Sequence, residues 1–137
     1  MMKQFEITLS SYRRGYHLIT SEIQRQLPEL PKVGLVHLLI KHTSAALSLN
    51  ENADPSVRYD FESFMNKLVP ENDPVFTHVL EGSDDMPAHL KSSLIGANLT
   101  IPLTNGCLNL GIWQGIYLCE FRNRGGSRKI VVTIMGE

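Results

Sequence analysis

Three histidines of this 137-residue chain stand where metal-ligand or acid–base chemistry is possible. His42 closes an apolar stretch and precedes Thr43 and Ser44, so a strand there ends on an imidazole beside two hydroxyls. His78 opens the polar run His78-Val79-Leu80-Glu81-Gly82-Ser83-Asp84-Asp85, and His89 follows Asp85 by four residues. Neutral imidazole is the commonest protein ligand for metals, and three of them with one open position form a recurring catalytic zinc arrangement. Asp84 or Asp85 nearby would suit a harder ion. The trio reads as a divalent-metal site; the alternative is that each ring merely hydrogen-bonds a neighbour. His17, beside Tyr16, reads as a surface residue, and His37, inside an apolar strand, as a core or interface histidine.

Acidic groups crowd the same segments: Glu51, Asp54, Asp60, Glu81, Asp84 and Asp85. Asp54 and Asp85 have a structural explanation as helix caps. Glu81, followed by Gly82 in a polar loop, has none. Near a metal, a carboxylate serves as ligand, as orienter of a histidine or as general base, and spacing leaves these roles open. Anion-binding groups are also at hand. They are the hydroxyls of Thr43, Ser44, Ser92 and Ser93, the first amides of the helix after Asp85, Lys91, and the arginines Arg122, Arg124 and Arg128. Trp113-Gln114 sits between Gly111 and Gly115, which fits either close approach of a ligand or a buried structural Trp.

Composition removes several classes. A formal net charge of -1 argues against a sequence-independent nucleic-acid binder. The apolar run Val36–Ile40 is broken by His37 and is far too short to span a bilayer. The N-terminus has no apolar signal core. Cys107 and Cys119 lack metal-motif spacing and read as reduced strand residues of a cytoplasmic protein. No phosphate-binding P-loop, G-x-S-x-G elbow, H-E-x-x-H helix or paired C-x-x-C occurs.

The elements that must position these groups follow from periodicity. Phe5, Ile7 and Leu9 alternate with polar residues as in a strand. Tyr16–Ile19 reads as a short strand, and Ser21-Glu22-Ile23-Gln24 as a capping box opening a short helix. Val33–Lys41 is a central strand and Ala45–Leu49 a further one. Asp54-Pro55 starts a helix that Pro70 ends. Glu71–Asp85 reads as loop, and Met86–Ile95 as a helix capped by Asp85 and stopped by Gly96. Leu99–Leu103, Leu108–Gly111, Ile116–Arg122 and Lys129–Met135 read as strands, with turns at Asn105-Gly106 and Gly125-Gly126. The expectation is one α+β domain over residues 1–137, rich in antiparallel sheet, sandwich-like, with two or three helices.

Four blocks in order carry a resemblance. They are His42-Thr43-Ser44-Ala45-Ala46-Leu47; Asn50-Glu51-Asn52-Ala53-Asp54-Pro55; His78 with Glu81 through His89; and Leu110-Gly111-Ile112-Trp113-Gln114-Gly115. Together they resemble the YjbQ-like family, whose members carry the name secondary thiamine-phosphate synthase, over essentially the whole chain. The resemblance implies a YjbQ-like α+β subunit assembled as a homotrimer. By position it places His42, His78, His89, Asn50, Glu51, Asp85, Trp113, Gln114, Glu120 and Arg122 in motif blocks. Ile112 departs from the small hydroxyl residue of many relatives. The implied reaction couples a pyrimidine diphosphate to a thiazole phosphate and releases pyrophosphate. That requires a divalent ion (zinc, magnesium or manganese) and cations such as Arg122, Arg128 and Lys91 for the departing diphosphate. Two further readings remain: a non-enzymatic metal- or anion-binding trimer, and a metal-assisted phosphoester hydrolase using Glu81 or Asp85 as base.

Overall fold

Eleven elements follow one another along residues 1–137 of the computed structural model. They are β1 (Met2–Ser11), β2 (Gly15–Leu18), α1 (Thr20–Gln24), β3 (Val33–Ile40), β4 (Ala45–Glu51), α2 (Pro55–Leu68), α3 (Asp85–Ile95), β5 (Asn98–Thr104), β6 (Cys107–Leu108), β7 (Gln114–Glu120) and β8 (Ser127–Gly136). The strands form a five-stranded sheet in the order β1-β8-β3-β5-β6 and a three-stranded sheet in the order β2-β7-β4. Every ladder is antiparallel.

Two-residue alternation stacks these layers. Val36, Leu38 and Ile40 of β3, Ile130, Val132 and Ile134 of β8, and Ile116 and Leu118 of β7 meet in one core between the sheets. The intervening residues of β7, Tyr117 and Cys119, point the other way and join Tyr16, Ala46, Met65, Ala88 and Phe121 in a second core. That second core is roofed by α2 and α3, so β7 is buried on both faces. The result is a single small α+β domain with three helices, as the sequence leads one to expect.

Local signals set most boundaries. Asp54 caps α2 by accepting from the Ser56 N–H at 2.9 Å, with Pro55 in the first turn. Gly96 ends α3 at φ 112. Asn105 and Gly106 take φ 53 and 76 and close the β5–β6 hairpin in the left-handed region where Asn and Gly serve best. Both cysteines are free. No helix is long and apolar enough to cross a membrane.

Four expectations need correction. The capping box at Ser21 does not form: α1 begins at Thr20 with no side-chain cap. Its Glu22 reaches away to the Ser10 N–H and Oγ and to the Tyr12 hydroxyl. Asp85 is the first residue of α3 rather than its cap, and Asp84 stands at the cap position with no capping bond, because Arg122 and the Asn123 N–H hold its carboxylate. The strand expected over Leu108–Gly111 shortens to Cys107–Leu108. The strand expected over Ile116–Arg122 runs from Gln114 to Glu120, and Arg122 lies beyond it.

Candidate metal centre

Asp85 and His89 lie one helical turn apart on α3, so both side chains leave the same face. The loop before α3 brings His78 to meet them. Nε2 of His78 is 2.7 Å from Asp85 Oδ2, and Nε2 of His89 is 3.0 Å from the same oxygen. One potential ligand atom from each residue falls within 4.8 Å of the others.

The third side of the cluster is a cation. Arg122 donates from Nη1 to Asp85 Oδ1 at 2.5 Å, from Nε to Asp84 Oδ2 at 2.9 Å, and from Nη2 to the Glu81 carbonyl at 3.0 Å. Asp85 is 5% exposed. Burial pushes its carboxyl up, but the His78 hydrogen bond and the charges of His89 and Arg122 outweigh this and hold it below the ordinary aspartate value. Asp84 is likewise held low: burial opposes ionisation, while the Asn123 N–H and Arg122 favour it. Bonds to both carboxylates keep Arg122 above the usual arginine value.

Tautomer logic adds a constraint. His89 Nδ1 is 2.8 Å from the Thr43 carbonyl, which only accepts, so Nδ1 carries a proton and donates. A neutral ring then points its Nε2 lone pair at Asp85 Oδ2, a second acceptor. Two acceptors 3.0 Å apart need something between them, either a shared proton or a metal cation. A ligand histidine whose other nitrogen donates to a backbone carbonyl is the usual support of a metal-binding ring. Two imidazoles and one carboxylate also make a recognised three-ligand set with open positions. The residues present therefore fit a divalent ion.

The other candidates divide into separate groups. His42 lies outside the cluster: its Nε2 accepts from the Lys129 N–H at 2.9 Å, pinning β8 to the end of β3. Burial and the charge of Arg128 hold its ring below the ordinary histidine value. Thr43 serves through its carbonyl, which also accepts from Ser92 Oγ at 2.9 Å. Glu120 and Arg128, exposed by 0% and 4%, form a sealed pair. Arg128 donates to Glu120 from Nε at 2.7 Å and from Nη2 at 2.5 Å, and to Ser44 Oγ at 3.0 Å. A Cβ on Gly125 would collide with the Glu120 carboxylate, so only glycine lets the hairpin close over this pair.

Lys91 is also buried. It donates to Asn66 Oδ1 at 2.7 Å and sits 5.8 Å over the Phe121 ring. Burial, with Arg14 nearby, pulls its ammonium below the ordinary lysine value. It faces no solvent and cannot reach a phosphate. Asn50, Glu51, Trp113 and Gln114 occupy the far end of the β4–β7 ladder, where Glu51 pairs with Gln114 while Ala45 pairs with Glu120. Six residue steps separate these ends, about 20 Å at roughly 3.4 Å per step. There Glu51 accepts from the Ala53 and Asp54 N–H groups, and Gln114 Oε1 accepts from the Gly111 N–H. Trp113 is 64% exposed rather than buried. The Glu81 carboxylate is exposed on the loop that carries His78.

A family model described as UPF0047 protein YjbQ-like matches residues 4–137. The chain belongs to this family. UPF0047 protein YjbQ of Escherichia coli O157:H7 is 51% identical over 139 residues, spanning 100% of both chains. The Salmonella typhimurium protein of the same name is 54% identical over the same span. Among solved structures, the conserved hypothetical protein TT1486 of Thermus thermophilus superposes with a TM-score of 0.83 at 33% identity, covering 96% of this chain and 99% of that one. A YbjQ-like protein from Sulfolobus solfataricus gives 0.83 at 26% identity over 100% of both. These names carry no substrate, so chemistry has to be argued from the cluster.

Asp84 is the residue that sequence reasoning underuses. Spacing offers it only as one of two acids that would suit a harder ion, whereas it fixes Arg122 and through it Asp85. Its adjacency to Asp85 is the available signal.

Proposed function

We propose that His78, Asp85 and His89 hold a divalent metal ion and that this family member is a metal-dependent enzyme acting on a phosphorylated small molecule. The observation that carries the reading is the His89 ring, anchored at Nδ1 by the Thr43 carbonyl and directing Nε2 at a carboxylate oxygen that cannot donate. Two nitrogen ligands favour zinc or manganese over magnesium, which prefers oxygen. A bound ion would supply Lewis-acid stabilisation to a departing or attacked phosphate oxygen.

Thiamine-phosphate synthesis is the named reaction for this reading. A C–N bond forms between the thiazole nitrogen and the pyrimidine methylene carbon, the C–O bond to the diphosphate breaks, and the electron pair leaves with pyrophosphate. Lys91 and Arg128 are buried away from the cluster, so Arg122, whose guanidinium borders Asp85, is the protein cation nearest a leaving group held there. Exposed Ile112 and Trp113 support a place for the far end of the β4–β7 ladder in the interface of a homotrimer, where it would complete a neighbour's site. A metal-assisted hydrolase is the second reading, favoured by the exposed carboxylate of Glu81 on the loop beside the cluster.

Elemental analysis of the purified, metal-supplemented protein tests the centre: about one ion per chain in wild type, and none in His78→Ala or His89→Ala. Equal metal in wild type and both variants, or none in any, overturns it. With the metal in place, pyrophosphate release from paired pyrimidine and thiazole substrates supports the coupling, and orthophosphate release from simple esters supports hydrolysis instead.

A further inference from the structure

The buried side-chain polar atoms of this chain that find no hydrogen-bond partner gather in one place. They are Arg14 Nε, the Tyr16 hydroxyl and Glu62 Oε2. All three residues line a single cavity of about 250 Å³, formed by the connection from β1 to β2 and the first turns of α2. A buried polar atom left without a partner costs about 1–3 kcal/mol, and native chains keep few of them. Three in one wall show that this corner of the fold is not closed by internal hydrogen bonds, although the atoms themselves are sealed behind the cavity surface.

Charge decides what the cavity suits. Arg13 and Arg58 line the same cavity, and neither makes an ion pair. Arg14 is held in the wall by Asn66 Oδ1, to which Nη2 donates at 2.7 Å, and lies 3.4 Å from Glu62, Glu71 and Asn123. Three guanidinium groups thus line the cavity with one carboxylate, in a chain whose overall charge is -1. Guanidinium forks match the spacing of phosphate oxygens better than any other side chain. Tyr16 is 8% exposed, and burial beside Cys119 and Glu62 raises its hydroxyl above the usual tyrosine range, so it stays protonated and can donate. The volume suits a phosphate and a few further atoms, below the size of drug-like pockets.

We propose that this cavity is a second ligand site, sharing no residue with the His78–Asp85–His89 cluster, that takes the phosphate group of a small phosphorylated molecule.

Calorimetric titration with inorganic phosphate tests it on the full chain, using wild type, the double variant Arg13→Gln/Arg58→Gln, Tyr16→Phe and His89→Ala. Saturable binding is expected in wild type. It should weaken by at least roughly tenfold in the double arginine variant, the loss of a charge-assisted hydrogen bond. Tyr16→Phe should weaken it by less, and His89→Ala should leave it unchanged. Because Arg13 and Arg58 make no ion pair, the double variant should keep the wild-type melting temperature, so that lost binding is not lost folding. Three results would overturn the proposal: no saturable binding to wild type, equal binding in the double variant, or loss in His89→Ala instead. Acetate at matched ionic strength should not compete, and equal binding of acetate would refute the phosphate assignment.

Discussion

Glu120 and Asp85 are both buried carboxylates held by an arginine, yet their surroundings leave them in opposite states. Glu120 has both oxygens engaged by Arg128, and its remaining neighbours include Ser44, the Arg122 N–H and the close backbone of Gly125. Asp85 gives one oxygen to Arg122 and turns the other to two imidazoles that are part-exposed, with side chains 47% and 30% accessible. An arginine partner alone therefore does not decide how open a buried carboxylate is. The difference lies in what stands on the second oxygen. A saturated carboxylate in a dry setting is a strut, whereas one that shares its second oxygen between two part-exposed imidazoles has the donor set for the metal proposed above. The largest test of this contrast is Glu120→Ala, which strands the Arg128 charge in the interior. It should cost about 3–5 kcal/mol of stability, read by denaturant unfolding, because removing one partner of a buried pair leaves the other uncompensated. Metal content of the folded fraction should not change. A loss below about 1 kcal/mol would mean that water reaches Arg128, and the contrast would fail.

A smaller effect is expected at the open site. Arg122→Lys keeps the charge but loses the fork that holds Asp84, Asp85 and the Glu81 carbonyl together. If the proposed ion binds, its affinity should fall about 10- to 100-fold, the range for outer partners of metal ligands, measured by competition with a chelator. Unchanged affinity would show that Asp85 needs no fixing, and would make Arg122 as purely structural as Arg128.

Much of this contrast is legible in the sequence, though unevenly. Asp54-Pro55 and Asn105-Gly106 fix their helix start and turn through contacts within a few residues, and such signals survive in any fold. Two-residue alternation places Glu120 on the same face as Ile116 and Leu118, and Arg128 on that of Ile130 and Val132. Both faces are core, so the pair is legible as buried, but the residue types suggest anion chemistry. The Ser21 capping box misleads because α1 begins one residue earlier, at Thr20, whose hydroxyl accepts from the Ile116 N–H, 96 positions away in sequence. The histidine trio is half legible for a similar reason. His89 and Asp85 share a helical turn, which spacing reveals, whereas the choice between His78 and His42 as their companion depends on how β8 docks beside β3 and occupies His42.

A third carboxylate sharpens the comparison by removing the cation. Glu22 accepts from the Ser10 N–H at 2.6 Å, the Ser10 hydroxyl at 2.9 Å and the Tyr12 hydroxyl at 2.6 Å, with no arginine or lysine in hydrogen-bond contact. Burial pushes its carboxyl up, yet these donors, with help from the charge of Arg25, outweigh burial and hold it below the ordinary value of 4.5. The same contact, together with burial, pushes the Tyr12 hydroxyl up to about 12. A carboxyl whose folded value lies below its unfolded one binds protons more weakly in the native state. Its stabilisation is thus complete above the unfolded value and is lost as pH falls through the folded one. Glu22→Gln should therefore flatten the acid limb of the stability curve below pH 4.5, with a cost near neutral pH of about 1 kcal/mol, as for a partly exposed hydrogen-bonded group. Urea unfolding across that range measures both quantities. An acid limb that stays as steep in Glu22→Gln as in wild type would assign acid lability to the arginine-held carboxylates Asp84 and Asp85, and would show that neutral donors do not substitute for a guanidinium in this fold.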